Sequence, residues 1–127
     1  MVMMNHRRNS PAALRFEDRR RRENEAPRLH EKVPDLVGLQ LQIEDRSGMT
    51  ATKHLRRFVV ENAPALFLVP CADARCADGE HDLTSMVMRG LHEHKTSFEG
   101  EDECAGNLGL GVCARILHFD AVAEYRS

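Results

Sequence analysis

Over residues 39–44 apolar and polar side chains alternate, Leu39, Leu41 and Ile43 against Gln40, Gln42 and Glu44. A strict period of two predicts a half-buried strand, here ended by the turn-forming Arg46, Ser47 and Gly48. A second strand is predicted over about residues 54–61 (HLRRFVVE). The Asn62, Ala63, Pro64 break then separates it from a third apolar run, ALFLV at 65–69. These two also read as one long bent strand.

Further on, Asp82 is placed to cap a helix in which Leu83, Met86, Val87, Gly90 and Leu91 recur at spacings of three and four. Ser85 stands where a capping box would want Glu, and His92, His94 and Lys95 fall in the last turn, where cations suit the helix dipole. The apolar stripe of this helix should lie on the sheet. Residues 96–100 and 114–119 read as the arms of a hairpin with Cys104 and Cys113 near its tip.

The first 14 residues show no apolar period and are expected to be disordered. Residues 14–32 are helical in composition, but Pro27 interrupts them and few positions are apolar, so the helix should be short and solvated. Acids at Glu17, Asp18, Glu23 and Glu25 lie within pairing distance of Arg19, Arg20, Arg21 and Arg22 along such a helix. The sum is a β-β-β-α-β-β order. It predicts an α+β fold, an antiparallel sheet of four to five strands covered by one main helix. Residues 1–33 form a basic, partly disordered or helical arm, and residues 34–127 the folded domain.

Composition changes this picture little. The 127 residues suffice for one core, and 42% hydrophobic with 30% charged residues is ordinary for a globular chain. One Tyr, five Phe and no Trp leave few surfaces for stacking bases. No apolar run reaches signal-peptide or membrane-spanning length, and the expectation is a cytoplasmic protein without a membrane role. Charge is uneven. Residues 1–70 carry 13 Lys or Arg against 9 Asp or Glu, and residues 71–127 carry 5 against 11.

Every cysteine lies within residues 71–113: Cys71 and Cys76 in CADARC, Cys104 and Cys113 around CAGNLGLGVC. In a reducing compartment, clustered thiols point to metal rather than disulfides. Two loops with two thiols each supply the tetrahedral sulfur set of one structural zinc ion, leaving a formal charge of about −2 there. The region resembles zinc-ribbon and zinc-knuckle proteins in its two loop-borne cysteine pairs. Their usual pairs are two residues apart, whereas here four and eight residues intervene. A closed site of four cysteines leaves no open coordination position, so the ion is expected to be structural and no catalytic residues are expected. Unmetallated buried cysteines, an iron–sulfur cluster and disulfides are the alternatives.

His81, in DGEHD, offers itself as a substitute ligand or as a partner to a ligand sulfur, against a plain role in starting the helix. His92 and His94 point apart on a helix, and His118, alternating with apolar neighbours, reads as a surface or internally satisfied residue. Glu99, Glu101, Asp102 and Glu103 invite an acid–base dyad, but a solvated hairpin edge explains them. No phosphate loop or nucleophile elbow is present; Gly106, Gly109 and Gly111 read as backbone freedom around a metal. Two function classes follow: a zinc-stabilised module for an unknown protein partner, or a nucleic-acid binder using Arg7, Arg8, Arg15, Arg19, Arg20, Arg21, Arg22, Arg56 and Arg57. An enzyme is not expected; it would need an open metal position or a low-pKa thiol.

Overall fold

The computed structural model describes residues 10–45, 52–73, 76, 79–106, 108–109, 111, 113 and 115–127. The expected Arg46, Ser47, Gly48 turn, the first nine residues and Arg7 and Arg8 lie outside them.

Helix formation begins earlier than the apolar pattern implies. Ser10 caps α1 (Pro11–Glu25): its hydroxyl accepts from the Ala13 amide at 3.2 Å, and proline takes a first-turn position where no amide is needed. Residues 10–14 therefore start a helix rather than a disordered arm. The helix runs 15 residues, longer than its few apolar positions suggested. Asp18 accepts from Arg22 at 2.9 Å one turn on, and Arg21 reaches Glu25. Ala26, before Pro27, is extended with ψ 155°, which ends the helix. Arg28 then donates to the Glu23 and Ala26 carbonyls at 2.6 and 2.8 Å and to the Asn62 carbonyl at 3.1 Å. A single turn follows, α2 (Leu29–Lys32), whose Leu29 is fully buried in the common core with Val33.

Four strands form one antiparallel sheet in the order β2-β1-β6-β5: β1 (Leu36–Asp45), β2 (Thr52–Phe58), β5 (Ser97–Glu103) and β6 (Ile116–Tyr125). β1 buries Leu39, Leu41 and Ile43, as alternation requires; Leu36, three residues before Leu39, is also buried because the register with β6 shifts between Leu36 and Gly38. β2 stops at Phe58, short of the expected end at 61, where the chain turns with the Ala63 amide bonded to the Val59 carbonyl. The apolar run at 65–69 does not join the sheet. Its end forms β3 (Leu68–Pro70), paired with an unexpected strand β4 (Glu80–Asp82) in a separate two-stranded ribbon.

β4 leads into α3 (Thr84–His92). Leu83 is the N-cap residue and gives no side-chain bond; Asp82 still contributes, accepting from the Thr84 amide at 3.0 Å. Thr84 in turn accepts from the Phe67 amide, fixing the helix start to the chain before β3. Val87, Gly90 and Leu91 are buried, and α3 meets the sheet at the β5 side: a side chain at Gly90 would come within 2.5 Å of the Phe98 ring. The helix ends at His92. His94 adopts φ 56°, the left-handed turn that usually takes glycine, and its ring bonds Asp35 at 2.6 Å, so neither it nor Lys95 sits in the last turn.

The inner face of the sheet carries Leu41, Ile43, Leu117, Phe119 and Ala121, which share the core with Phe67, Val87 and Leu91. The outer face carries Gln40, Gln42, Glu44, His118, Asp120, Val122, Glu99 and Glu101 by register. Among the described residues no helix is long and apolar enough to cross a membrane.

Candidate metal centre

Two hairpins deliver the cysteines. The loop of the β3–β4 ribbon holds Cys71 and Cys76, and the loop between β5 and β6 holds Cys104 and Cys113. Each loop is shaped by its own backbone bonds. The Cys71 amide donates to the Gly79 carbonyl at 3.1 Å and the Cys76 amide to the Asp73 carbonyl at 3.0 Å. In the second loop the Cys104 amide donates to Arg115 at 2.8 Å and the Cys113 amide to Gly106 at 2.7 Å. Ion pairs anchor the surroundings: Arg115 donates twice to Asp45, at 3.0 and 2.8 Å, tying the loop's end to the end of β1.

The four sulfurs converge. Cys71 Sγ lies 3.7 Å from Cys113 Sγ, Cys76 Sγ lies 3.7 Å from Cys104 Sγ, and all four lie within 4.8 Å of one another. The cross-pairing joins the two loops, and none of the four is in a disulfide. Zinc bound at about 2.3 Å to four tetrahedral sulfurs sets them about 3.8 Å apart, so the donor set fits a single ion. Cys76 and Cys104 are buried and Cys71 and Cys113 partly exposed.

Gly79 makes this closeness possible. A methyl group there would lie 2.5 Å from both Cys71 Cβ and Cys76 Sγ, so only glycine fits. The Gly106 amide donates to Cys104 Sγ at 3.3 Å, holding that sulfur within its loop.

Without an ion the thiols are held unequally. Burial pushes Cys71 up to about 11, the nearby sulfurs adding to it, and burial pushes Cys76 up further. Burial acts upward on Cys113 too, but the Arg115 backbone and the neighbouring sulfurs outweigh it and hold that thiol below its ordinary value.

Arginines of α1 face the centre. Arg15 and Arg19, one turn apart, line a cleft of about 180 Å³ with Cys71, Asp73, Cys76 and Gly79. The helix is pinned there by Arg22, which donates to both Glu80 carboxylate oxygens at 3.0 and 2.6 Å. Cys71 also lines a second recess of about 340 Å³, with apolar walls from Ile43, Val69, Pro70 and Leu117 and with Asp45, His54 and Arg56 at its polar parts.

His81 is not among the grouped ligands. It sits in β4 rather than at the helix start, is 2% exposed, and its Nδ1 bonds Asp102 at 2.8 Å. Asp102 therefore faces away from Glu99, Glu101 and Glu103, whose exposure on an edge strand matches a solvated hairpin. The DGEHD run carried no period that would reveal β4, and nothing local pointed to Gly79, Arg15 or Arg19. A lone glycine between a cysteine loop and a short strand was the available signal for Gly79.

Fold and site together define an α+β domain with a four-cysteine cluster compatible with a structural metal site. No protein-family model, curated protein or solved structure matches the chain.

Proposed function

We propose that the chain is a small zinc-binding domain in which Cys71, Cys76, Cys104 and Cys113 hold one structural zinc ion, and that it serves as a protein-binding or regulatory module. The sulfur geometry carries the metal assignment: separations of 3.7 Å across the two loops approach those of a tetrahedral zinc thiolate centre. Four thiolates fill the coordination sphere and leave no place for water or substrate. The ion's contribution is then to folding, because the unfolded chain has no preformed site.

The same spacing supports one ion over an iron–sulfur cluster, which spreads its four thiolates over two or four irons and sets sulfurs on different irons further apart. The binding role is supported by the apolar-walled recess beside Cys71 and by the engagement of several arginines within the fold. Arg21 and Arg22 pair with acids, and Arg56 donates to the Leu68 carbonyl at 3.2 Å. Among the described residues a nucleic-acid role would rest on what remains, Arg15, Arg19, Arg20 and Arg57, against an acidic second half that repels polyanions.

Metal analysis of the purified protein, with cobalt substitution, tests the centre. One zinc per chain, intense sulfur-to-cobalt charge-transfer absorption, and loss of the metal in each single Cys→Ser variant are expected. Full retention in Cys113→Ser would remove that ligand. A salt titration against duplex and single-stranded nucleic acid tests the role: no binding at low salt is expected, and binding that falls steeply with salt would move the domain to the nucleic-acid class.

A further inference from the structure

β5 is an edge strand, and alternate acids along it are an ordinary defence against edge pairing. That defence does not account for the residue opposite them. In the β5–β6 register Glu99 faces Asp120 and Glu101 faces His118, so all four side chains stand on the outer face. His118 is nevertheless buried, its side chain 7% exposed. Its Nδ1 makes no hydrogen bond among the described residues, an uncommon condition for a buried polar atom. The ring is aimed into the carboxylates: Nε2 lies 3.4 Å from Asp120 Oδ2, and Nδ1 lies 3.7 Å from Glu101 Oε2.

We propose that Glu99, His118 and Asp120 form a second metal site, for a divalent first-row cation. One ring nitrogen of His118 and one carboxylate oxygen from each acid lie within 4.8 Å of one another, close enough that small side-chain rotations bring them onto one ion. Two strands supply the donors, so the backbone ladder already holds them in register. The set of one imidazole and two carboxylates selects the metal class. It is too hard for thiolate-seeking ions, and calcium prefers six to eight oxygens, whereas manganese, iron and zinc accept mixed nitrogen and oxygen donors.

Glu101 Oε2, 3.7 Å from Nδ1, is too far to hydrogen-bond that nitrogen but adds a further carboxylate at the edge of the site. On β1, Glu44 occupies the register position beside His118 and pairs with Lys53 at 3.4 Å, so the acidic row extends to the centre of the sheet. Three protein donors leave the remaining coordination positions to water, which separates this site in kind from the closed four-cysteine centre. It is also separate in space. At about 3.3 Å per residue along a strand, Glu99 stands some 16 Å from Cys104. The proposal therefore holds or fails independently of what the cysteines bind.

Manganese is the discriminating probe, because it favours oxygen and nitrogen over thiolate. Mn2+ is titrated into the full chain loaded with one equivalent of zinc, which the four thiolates take first, and freed of excess zinc, and the free ion is followed by its electron paramagnetic resonance signal. One bound Mn2+ per chain is expected. Asp120→Asn and Glu99→Gln, both exposed, should each weaken it by about tenfold or more, since even outer partners of a metal site cost that much. Glu103→Gln removes the same charge further along the edge and should leave binding unchanged. Bound Mn2+ should broaden the ring NMR signals of His118 before those of the other histidines, a readout that does not require a His118 variant to fold. Absence of binding, equal weakening by Glu103→Gln, or an unaffected His118 ring overturns the site and returns the cluster to edge protection.

Discussion

Gly79 is the residue on which the cysteine geometry turns. The Cβ of any other amino acid would fall 2.5 Å from Cys76 Sγ and from Cys71 Cβ, and neither atom is the free end of a flexible chain. Relief requires moving the loop, which separates Cys71 and Cys76 from the pair across the hairpin. Gly79→Ala should cost about 1–3 kcal/mol as an overpacking substitution and weaken metal binding with it. Denaturant midpoints with and without zinc measure both effects. Equal zinc affinity in the variant would mean that the loop has slack the structure does not indicate. His118 is the converse case at this scale: alternation with Leu117 and Phe119 placed it on a strand, but only the neighbouring strand revealed a buried ring among acids.

Among the elements, those with a period were legible and those without were not. β1 announces itself through Leu39, Leu41 and Ile43, and α3 through Leu83, Val87 and Leu91, because burial on one face writes the spacing directly. β4 is three residues, Glu80, His81 and Asp82, held by pairing with β3 and by the bond from His81 to Asp102; no apolar alternation can exist over so short a strand. The cysteine cluster was legible as composition, but its pairing across two loops depends on that unseen ribbon. The placement of α1 was likewise hidden, since Arg22 finds Glu80 at 58 residues' distance along the chain. This contact is two-pronged and only partly exposed, and such a pair contributes up to about 1 kcal/mol. Glu80→Gln should therefore loosen α1 and speed tryptic cleavage at Arg19, Arg20 and Arg21 by about two- to fivefold, as an opening equilibrium shifts by that energy. Unchanged cleavage would show that α1 is held by its end at Arg28 alone.

For the whole molecule the metal proposal implies opposite pH responses in its two states. In the metal-free chain, burial raises Cys71 to about 11 and also raises Cys76, so the fold prefers their neutral forms. Their contribution is complete below the ordinary thiol value of 9.0 and is lost as pH climbs from there toward 11. Cys113 is shifted the other way, so its contribution is gained as pH rises to 9.0 and stays constant above, leaving the alkaline decline to Cys71 and Cys76. With zinc bound the ligands must be thiolates, and protons compete for each of them. Affinity then falls as pH drops, and with it the stability that binding adds. Melting temperatures across pH should therefore diverge: the metal-free protein weakens in alkali, while the zinc-loaded protein holds there and weakens in acid. Parallel curves for the two preparations would place the ion outside the four sulfurs and leave the convergence of the two loops to packing alone.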